Sequence, residues 1–182
     1  MKTPSVTIFA NFFIDNKERL QRMRDSFFSF KNLMPSEWRI NIRGRLKHEA
    51  GDFLSKELED NLTLNFKQSK EGWFDDSYSF MKDCKSDFIF FWIEDHLCVS
   101  NPISIKHVLI EMKKYNTDLL LYSWYHYKTL NIFKRLPKIK EGKHIKVAQI
   151  DKNFSYNCDK EVKNTYIVSA LSIFKNEFFF KV

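Results

Sequence analysis

Glu94, Asp95 and His96 stand together at the end of the most apolar run of a 182-residue chain, Asp87-Phe-Ile-Phe-Phe-Trp-Ile93. Two carboxylates offer hard oxygen ligands and the imidazole a nitrogen, a set that Mg2+ or Mn2+ accepts. A cation held there would neutralise a diphosphate. A strand behind the cluster anchors its backbone while the side chains reach into a cleft; the competing reading is a capped strand-to-helix turn. Arg43 and Arg45 flank Gly44, and their fork-shaped donors suit phosphate, or they decorate a surface turn. Asn11 lies near the end of an earlier strand. Asp75 and Asp76 follow Gly72 and Trp73. Asp76 is a carboxylate available for proton transfer, or one that meets a helix N-terminus. Trp73 either stacks on a flat ligand or packs in the core. His126, in Trp124-Tyr-His-Tyr127, either faces a bound acceptor or lies on the surface.

These residues need a scaffold that brings them to one place. Ser5–Ile14 is β-branched and aromatic, as expected of a strand buried on both faces. Asp15 or Asn16 then caps a helix whose apolar stripe is Leu20, Met23, Phe27 and Phe30. Trp38–Ile42 reads as a second strand, ended by Arg43-Gly44-Arg45. A helix around Ala50–Leu58 and a strand over Leu62–Phe66 follow, then a helix from Gly72 to about Asp83. After Asp87–Ile93, Ser100-Asn101-Pro102 signals another helix start, with Ile105, Val108, Leu109 and Met112 as its stripe. Thr117–Trp124 reads as a strand. Residues 125–164 are Lys- and Asn-rich and poorly periodic, with a hairpin expected at His144–Ile150. Tyr166–Phe174 returns to strand character, and the apolar end, Phe178-Phe-Phe-Lys-Val182, suits a docked final helix or a chain that continues.

Strands alternating with helices imply an α/β domain: a layered α/β/α arrangement around a mainly parallel central sheet. In such a sheet the strand C-terminal ends share one edge, where ligands bind. Asn11, Arg43 and the Glu94-Asp95-His96 cluster all fall at that edge.

Composition narrows the chemistry. Four glycines and the lack of any GxGxxG or GxxxxGK[ST] motif argue against a dinucleotide-binding dehydrogenase and a P-loop NTPase. The net charge of +7, from 30 basic and 23 acidic side chains, attracts phosphorylated ligands, anionic lipid or nucleic acid. The basic residues are scattered and no nucleic-acid-binding signature stands out, so a nucleic-acid module is the weaker reading and no nucleic acid is expected as partner. Three widely spaced cysteines form neither a zinc ribbon nor a disulfide framework and fit a reducing cytoplasm.

The apolar strand followed by Glu94-Asp95-His96, Asn101-Pro102 and a helix resembles the acidic metal-binding region of GT-A glycosyltransferases, especially bacterial family 2-like enzymes. Val6–Arg24 resembles their opening strand and helix, and Ala170–Phe178 the strand that leads into their acceptor-side helix. The resemblance implies an enzyme that moves a sugar from a nucleotide-sugar donor to a glycan or lipid-linked acceptor, metal-assisted and inverting, at the cytoplasmic face of a membrane. It implies a single domain over 1–182, with residues 1–124 holding the donor and 125–182 forming an irregular acceptor-side part. Glu94, Asp95 and His96 would hold Mg2+ or Mn2+. Asn11, Arg43, Arg45, Trp73 and Asp95 would contact the donor, and Asp76 or His126 would serve catalysis. The spelling departs from the family's Asp-x-Asp, and Arg43 stands where an aspartate usually reads the nucleobase. A transferase-like binding domain without catalysis is the alternative.

Overall fold

A computed structural model describes residues 3–68, 73–121, 138–149 and 172–181, with Trp73, Lys138 and Ile139 described by backbone only. Strand β1 (Val6–Phe13) carries eight residues with no glycine or proline, so nothing interrupts its ladder. Helix α1 (Lys17–Phe30) begins where the Asn16 side chain accepts the Arg19 N–H at 2.9 Å. Strand β2 (Glu37–Arg43), helix α2 (Lys47–Leu58) and strand β3 (Leu62–Phe66) complete an outward march. Helix α3 (Trp73–Met81) returns the chain to β4 (Phe88–Trp92). Helix α4 (Pro102–Tyr115) starts at an Asn101 cap with proline in its first turn, as that tripeptide predicts. Strand β5 (Leu119–Leu121) follows; then come the hairpin strands β6 (Lys138–Glu141) and β7 (Lys146–Ala148), and last β8 (Ser172–Lys175) and the short α5 (Asn176–Phe179).

The six strands of the main sheet run in the order β3-β2-β1-β4-β8-β5. β1 pairs in parallel with β2 and β4, and β2 with β3, whereas β8 runs antiparallel to both β4 and β5. The layered, mainly parallel α/β architecture expected from the alternation is therefore present. The sequence did not disclose that β8, late in the chain, inserts between β4 and β5. The expected strand over 166–174 is seen from Ser172, and the hairpin expected at 144–150 begins earlier, at Lys138. Residues 122–124 of the expected fifth strand, 166–171 of the later one, and His126 lie outside the described residues.

Alternation along the strands divides the core in two. Ile8, Ala10, Phe12 and Ile14 of β1 and its exit, with Trp38, Ile40 and Ile42 of β2 and Phe88, Phe90 and Trp92 of β4, pack against the stripes of α1, α2 and α4. Phe9, Ile89, Phe91 and Phe174 face the other way, onto Met81 of α3 and the aromatics of α5. Helices α1 and α2 thus cover one face as the chain moves outward, and α3 covers the other on the way back. That reversal places β4 beside β1, the kind of switch point at which a crevice opens beyond the strand ends.

The exits of β1 and β2 are fastened to each other. The Ile14 N–H donates to the Arg43 carbonyl at 2.8 Å and the Leu46 N–H to the Ile14 carbonyl at 3.0 Å. Gly44 between them adopts φ +97°, and a Cβ there would overlap the Ile14 carbonyl. A left-handed φ and a backbone contact together demand glycine. Gly44→Ala is expected to lower stability by about 1–3 kcal/mol or more, read as a drop in urea midpoint with an unchanged slope.

Candidate functional site at the strand C-terminal edge

The segment after β4 is held by two serines of α1. Trp92 is fully buried and its indole N–H donates to Ser26 Oγ at 2.8 Å. The Ser26 hydroxyl in turn donates to the His96 carbonyl. Ser29 Oγ accepts the Cys98 N–H at 2.8 Å, and the His96 N–H closes a turn onto the Ile93 carbonyl at 3.2 Å. Both ends of the acidic cluster are thereby tied to a helix, which leaves its side chains as the adjustable part.

Glu94 turns toward the α1 side. Its carboxylate is one-fifth exposed and its nearest cation is Arg19, 4.0 Å away. Burial pushes its pKa up, and neighbouring Asp95 pushes it further in the same direction. Arg19 donates to the Phe13 carbonyl at 3.0 Å, so it is shared between the exits of β1 and β4. Asp95 is about half exposed and lies 2.7 Å from His96 Nδ1.

On the α3 side of the sheet the strand ends are basic. Arg43 is buried, and its guanidinium contacts both the Asn11 side-chain oxygen and the Asp76 carboxylate. Lys67, just past β3, pairs with the other Asp76 oxygen at 2.9 Å, and the Asn11 amide donates to Ser77 at 2.8 Å. Lys47, at the start of α2, is also buried; its ammonium is held by the Lys67 carbonyl at 3.0 Å and the Gln68 side-chain oxygen at 2.9 Å, both neutral. Arg45 is mostly exposed and reaches Asp15 at 3.3 Å. Arg43, Arg45, Lys47 and Lys67 thus face two carboxylates, Asp76 and Asp15, and positive charge remains at an edge where a diphosphate would bring negative charge.

Of the residues singled out in the sequence, Asn11, Arg43 and Asp76 meet in one network, and Glu94, Asp95 and His96 share one loop. Arg43 is neither a surface turn nor an unengaged phosphate grip. Asp76 does not only face a helix terminus: the Lys67 hydrogen bond, with Arg43 adding to it, holds its carboxyl below the usual range, which makes it an anchor and a weak proton acceptor. Trp73 opens α3, its side chain outside the described residues. The sequence reading missed Ser26, Ser29, Lys47, Lys67 and Ser77. Ser26 was findable as the lone hydroxyl in the Met23, Phe27, Phe30 stripe. It also missed a row of asparagines, in which Asn41 is paired in register with Asn11 on one side and Asn65 on the other.

Among the described residues no three His, Cys, Asp or Glu side chains gather as a protein-only metal cage requires. Mg2+ asks for less: one or two carboxylates, with phosphate oxygens and water completing its shell. A loop presenting Glu94, whose buried carboxylate has only a distant cation, and Asp95 beside it fits that demand. His96 Nδ1 is occupied by Asp95, so of its ring nitrogens Nε2 is the one left to serve as a ligand.

No protein-family model and no curated protein matches the chain. Solved structures do. A mannosyltransferase from Pyrobaculum calidifontis, in complex with GDP-Man and Mn2+, superposes with a TM-score of 0.61 over 99% of this chain and 47% of its own, at 10% identity. Residues 1–349 of S. aureus TarS give 0.57 over 97% and 48%, at 11% identity. The same protein in complex with UDP-GlcNAc gives 0.57 over 97% and 47%, at 12% identity. The chain spans about half the length of these structures and shares their fold.

Because the folded pKa of Glu94 is raised, its ionisation opposes folding. The cost is absent below the unfolded value of about 4.3, develops as pH rises through the folded pKa, and is constant above it. Glu94→Gln is therefore expected to raise the melting temperature at pH 7 relative to the parent, with the gain vanishing near pH 4. Melting curves of the two proteins across that range check it.

Proposed function

We propose that the chain is the nucleotide-sugar-binding part of a glycosyltransferase that moves a sugar from a nucleotide-diphospho-sugar to a glycan or lipid-linked acceptor. The observation that carries the reading is the strand-end edge. A serine-pinned acidic loop after β4 lies along the same edge as a surplus of positive charge at the exits of β2 and β3. The fold shared with structures that hold GDP-Man with Mn2+ and UDP-GlcNAc supports a nucleotide-sugar donor.

In this reading the diphosphate lies across the ends of β1 and β4. Glu94 and Asp95, with His96, would hold Mg2+ or Mn2+, which when bound supplies positive charge to the diphosphate oxygens. Arg45 and Arg19, both partly exposed, approach the phosphates from the exits of β2 and β1. Arg43, Asn11, Asp76 and Ser77 position the α3 start and the floor beneath the donor, with Trp73 on that start as a stacking surface. An acceptor hydroxyl oxygen attacks the anomeric carbon as the bond from that carbon to the diphosphate oxygen breaks, and the electron pair leaves with the diphosphate. Attack from the face opposite the leaving group inverts the anomeric centre. The hydroxyl proton passes to a base, for which His126 is the candidate rather than Asp76, since two cations already compete for the Asp76 carboxylate.

A second reading, donor binding without transfer, draws on the same closed Arg43–Asp76 pair and on the sparse metal set. Melting with GDP-Man and UDP-GlcNAc, with and without Mn2+, separates the outcomes. A donor at 100 times its dissociation constant should add about 2.7 kcal/mol of stability, and only with Mn2+ present. Glu94→Ala with Asp95→Ala should abolish that gain. If no nucleotide sugar shifts melting under either condition, the proposal fails; a metal-dependent shift without transfer or donor hydrolysis selects the second reading.

A further inference from the structure

Helix α4 has an outward face that the core does not use. Ile105, Val108, Leu109 and Met112 are buried. Ile103, His107, Ile110 and Lys114, at spacings of four, three and four, form the opposite stripe, with Lys106 on its flank. Ile103 is 64% exposed, and the loop leading into the helix adds Leu97 at 61% and Val99 at 94%. Three large apolar side chains within seven residues are thus in water, directly after the acidic loop. Scattered single exposures need no explanation, but a cluster with charge around it marks an interaction surface.

The β6–β7 hairpin extends this face. Glu111 of α4 accepts the backbone N–H groups of Lys143, His144 and Ile145 at 2.9, 2.9 and 3.0 Å. Against the desolvation that would raise it, those three donors hold the Glu111 carboxyl below its usual range. Ile145 is buried in the core, and His144 stacks on His107 at 5.0 Å between ring centroids. Lys114 and Lys140 both lie over the Tyr115 ring, at 5.1 and 5.9 Å. Docking the hairpin therefore consumes the one acidic side chain of α4, brings Lys140 to the same ring as Lys114 and sets Lys143 against Glu111, on the helix that also carries exposed Lys106. No ion pair among the described residues neutralises these four lysines, unlike Lys113, which Asp87 holds at 2.6 Å.

We propose that the outer face of α4 with the docked hairpin is a docking surface for an anionic phospholipid bilayer. Leu97, Val99 and Ile103 enter the headgroup boundary, while Lys106, Lys114, Lys140 and Lys143 meet lipid phosphates. Charge complementarity identifies the occupant, because an apolar tip beside a basic stripe is what an interfacial helix presents to a membrane. Nucleic acid would use the lysines and leave the aliphatic tip in water. No helix among the described residues is long and apolar enough to cross a membrane. This surface does not depend on the transfer reaction proposed above.

Flotation of the chain with phosphatidylglycerol–phosphatidylcholine vesicles, and with phosphatidylcholine alone, tests it. Binding should require the anionic lipid. Each lysine changed to glutamine should weaken it about fivefold, so Lys106→Gln, Lys140→Gln and Lys143→Gln together should cost about a hundredfold. Val99→Asp with Ile103→Asp should weaken binding independently, at salt concentrations where the lysines are screened. Melting of each variant at the parent temperature shows that the fold is kept; these side chains are exposed, and a variant that melts early is replaced by Val99→Ser with Ile103→Ser. Absence of binding to anionic vesicles, or a triple lysine variant that floats like the parent, overturns the proposal. So does loss of vesicle binding to competing oligonucleotides combined with indifference to the aliphatic changes, the result a nucleic-acid surface would give.

Discussion

A tryptophan indole N–H buried at the end of a central strand must find an acceptor, because leaving it unmade in a dry core costs about 1–3 kcal/mol. Trp92 is ringed by Phe12, Phe27, Phe30 and Trp38, with centroids 4.7 to 6.1 Å away. None of these can accept the proton well, and Ser26 does. Having accepted, the same hydroxyl has its own proton to place, and it goes to the His96 carbonyl. One side chain therefore links the packing of the core to the course of the chain four residues beyond it. The backbone course through Glu94 and Asp95 follows from an obligation of the core, and their side chains stay adjustable upon it. The aromatic cage excludes water that would otherwise offer alternative partners and loosen the link.

The opposite face of the sheet is organised by a different constraint. Strand β2 carries Trp38, Ile40 and Ile42 toward α1 and α2, which sends Arg39, Asn41 and Arg43 toward α3. A guanidinium in that layer is tolerable only when paired. Arg43 is met by Asp76 and Asn11, and Arg39 by Glu37, Asp83 and the Phe80 carbonyl. Helix α3 is thus fixed over the sheet by ion pairs at both its ends. The pairing occupies the Asp76 carboxylate that the sequence offered for proton transfer.

Much of the scaffold was legible because single segments encode it. The unbroken β-branched and aromatic runs at Val6–Phe13 and Phe88–Trp92, the Asn16 and Asn101 caps, and the three- and four-residue spacing in α1 and α4 depend on local chemistry alone. The antiparallel β8 was not legible: its neighbours β4 and β5 are more than fifty residues away in sequence, and nothing in Ser172–Lys175 names them. The site was half legible for the same reason. Glu94-Asp95-His96 announces itself as a polar break after an apolar strand. Arg43 was seen, but its burial was not, since the partner that makes it bearable sits on a helix 33 residues later. Ser26 shows in the sequence only as a hydroxyl within an apolar stripe, and Ser29 is an ordinary helix residue until the loop it holds is known.

A nucleotide diphosphate and a divalent cation are proposed to meet at the exits of β1, β2 and β4. The most direct measurement is amide NMR of the chain with a nucleotide sugar and substoichiometric Mn2+, whose unpaired electrons broaden nearby signals. Signals from 93–97 should be lost selectively, with attenuation at 13–16 and 43–47, reversed when Mg2+ replaces Mn2+. Broadening confined to another part of the fold, or signals from 93–97 that survive at saturating nucleotide sugar, would contradict it.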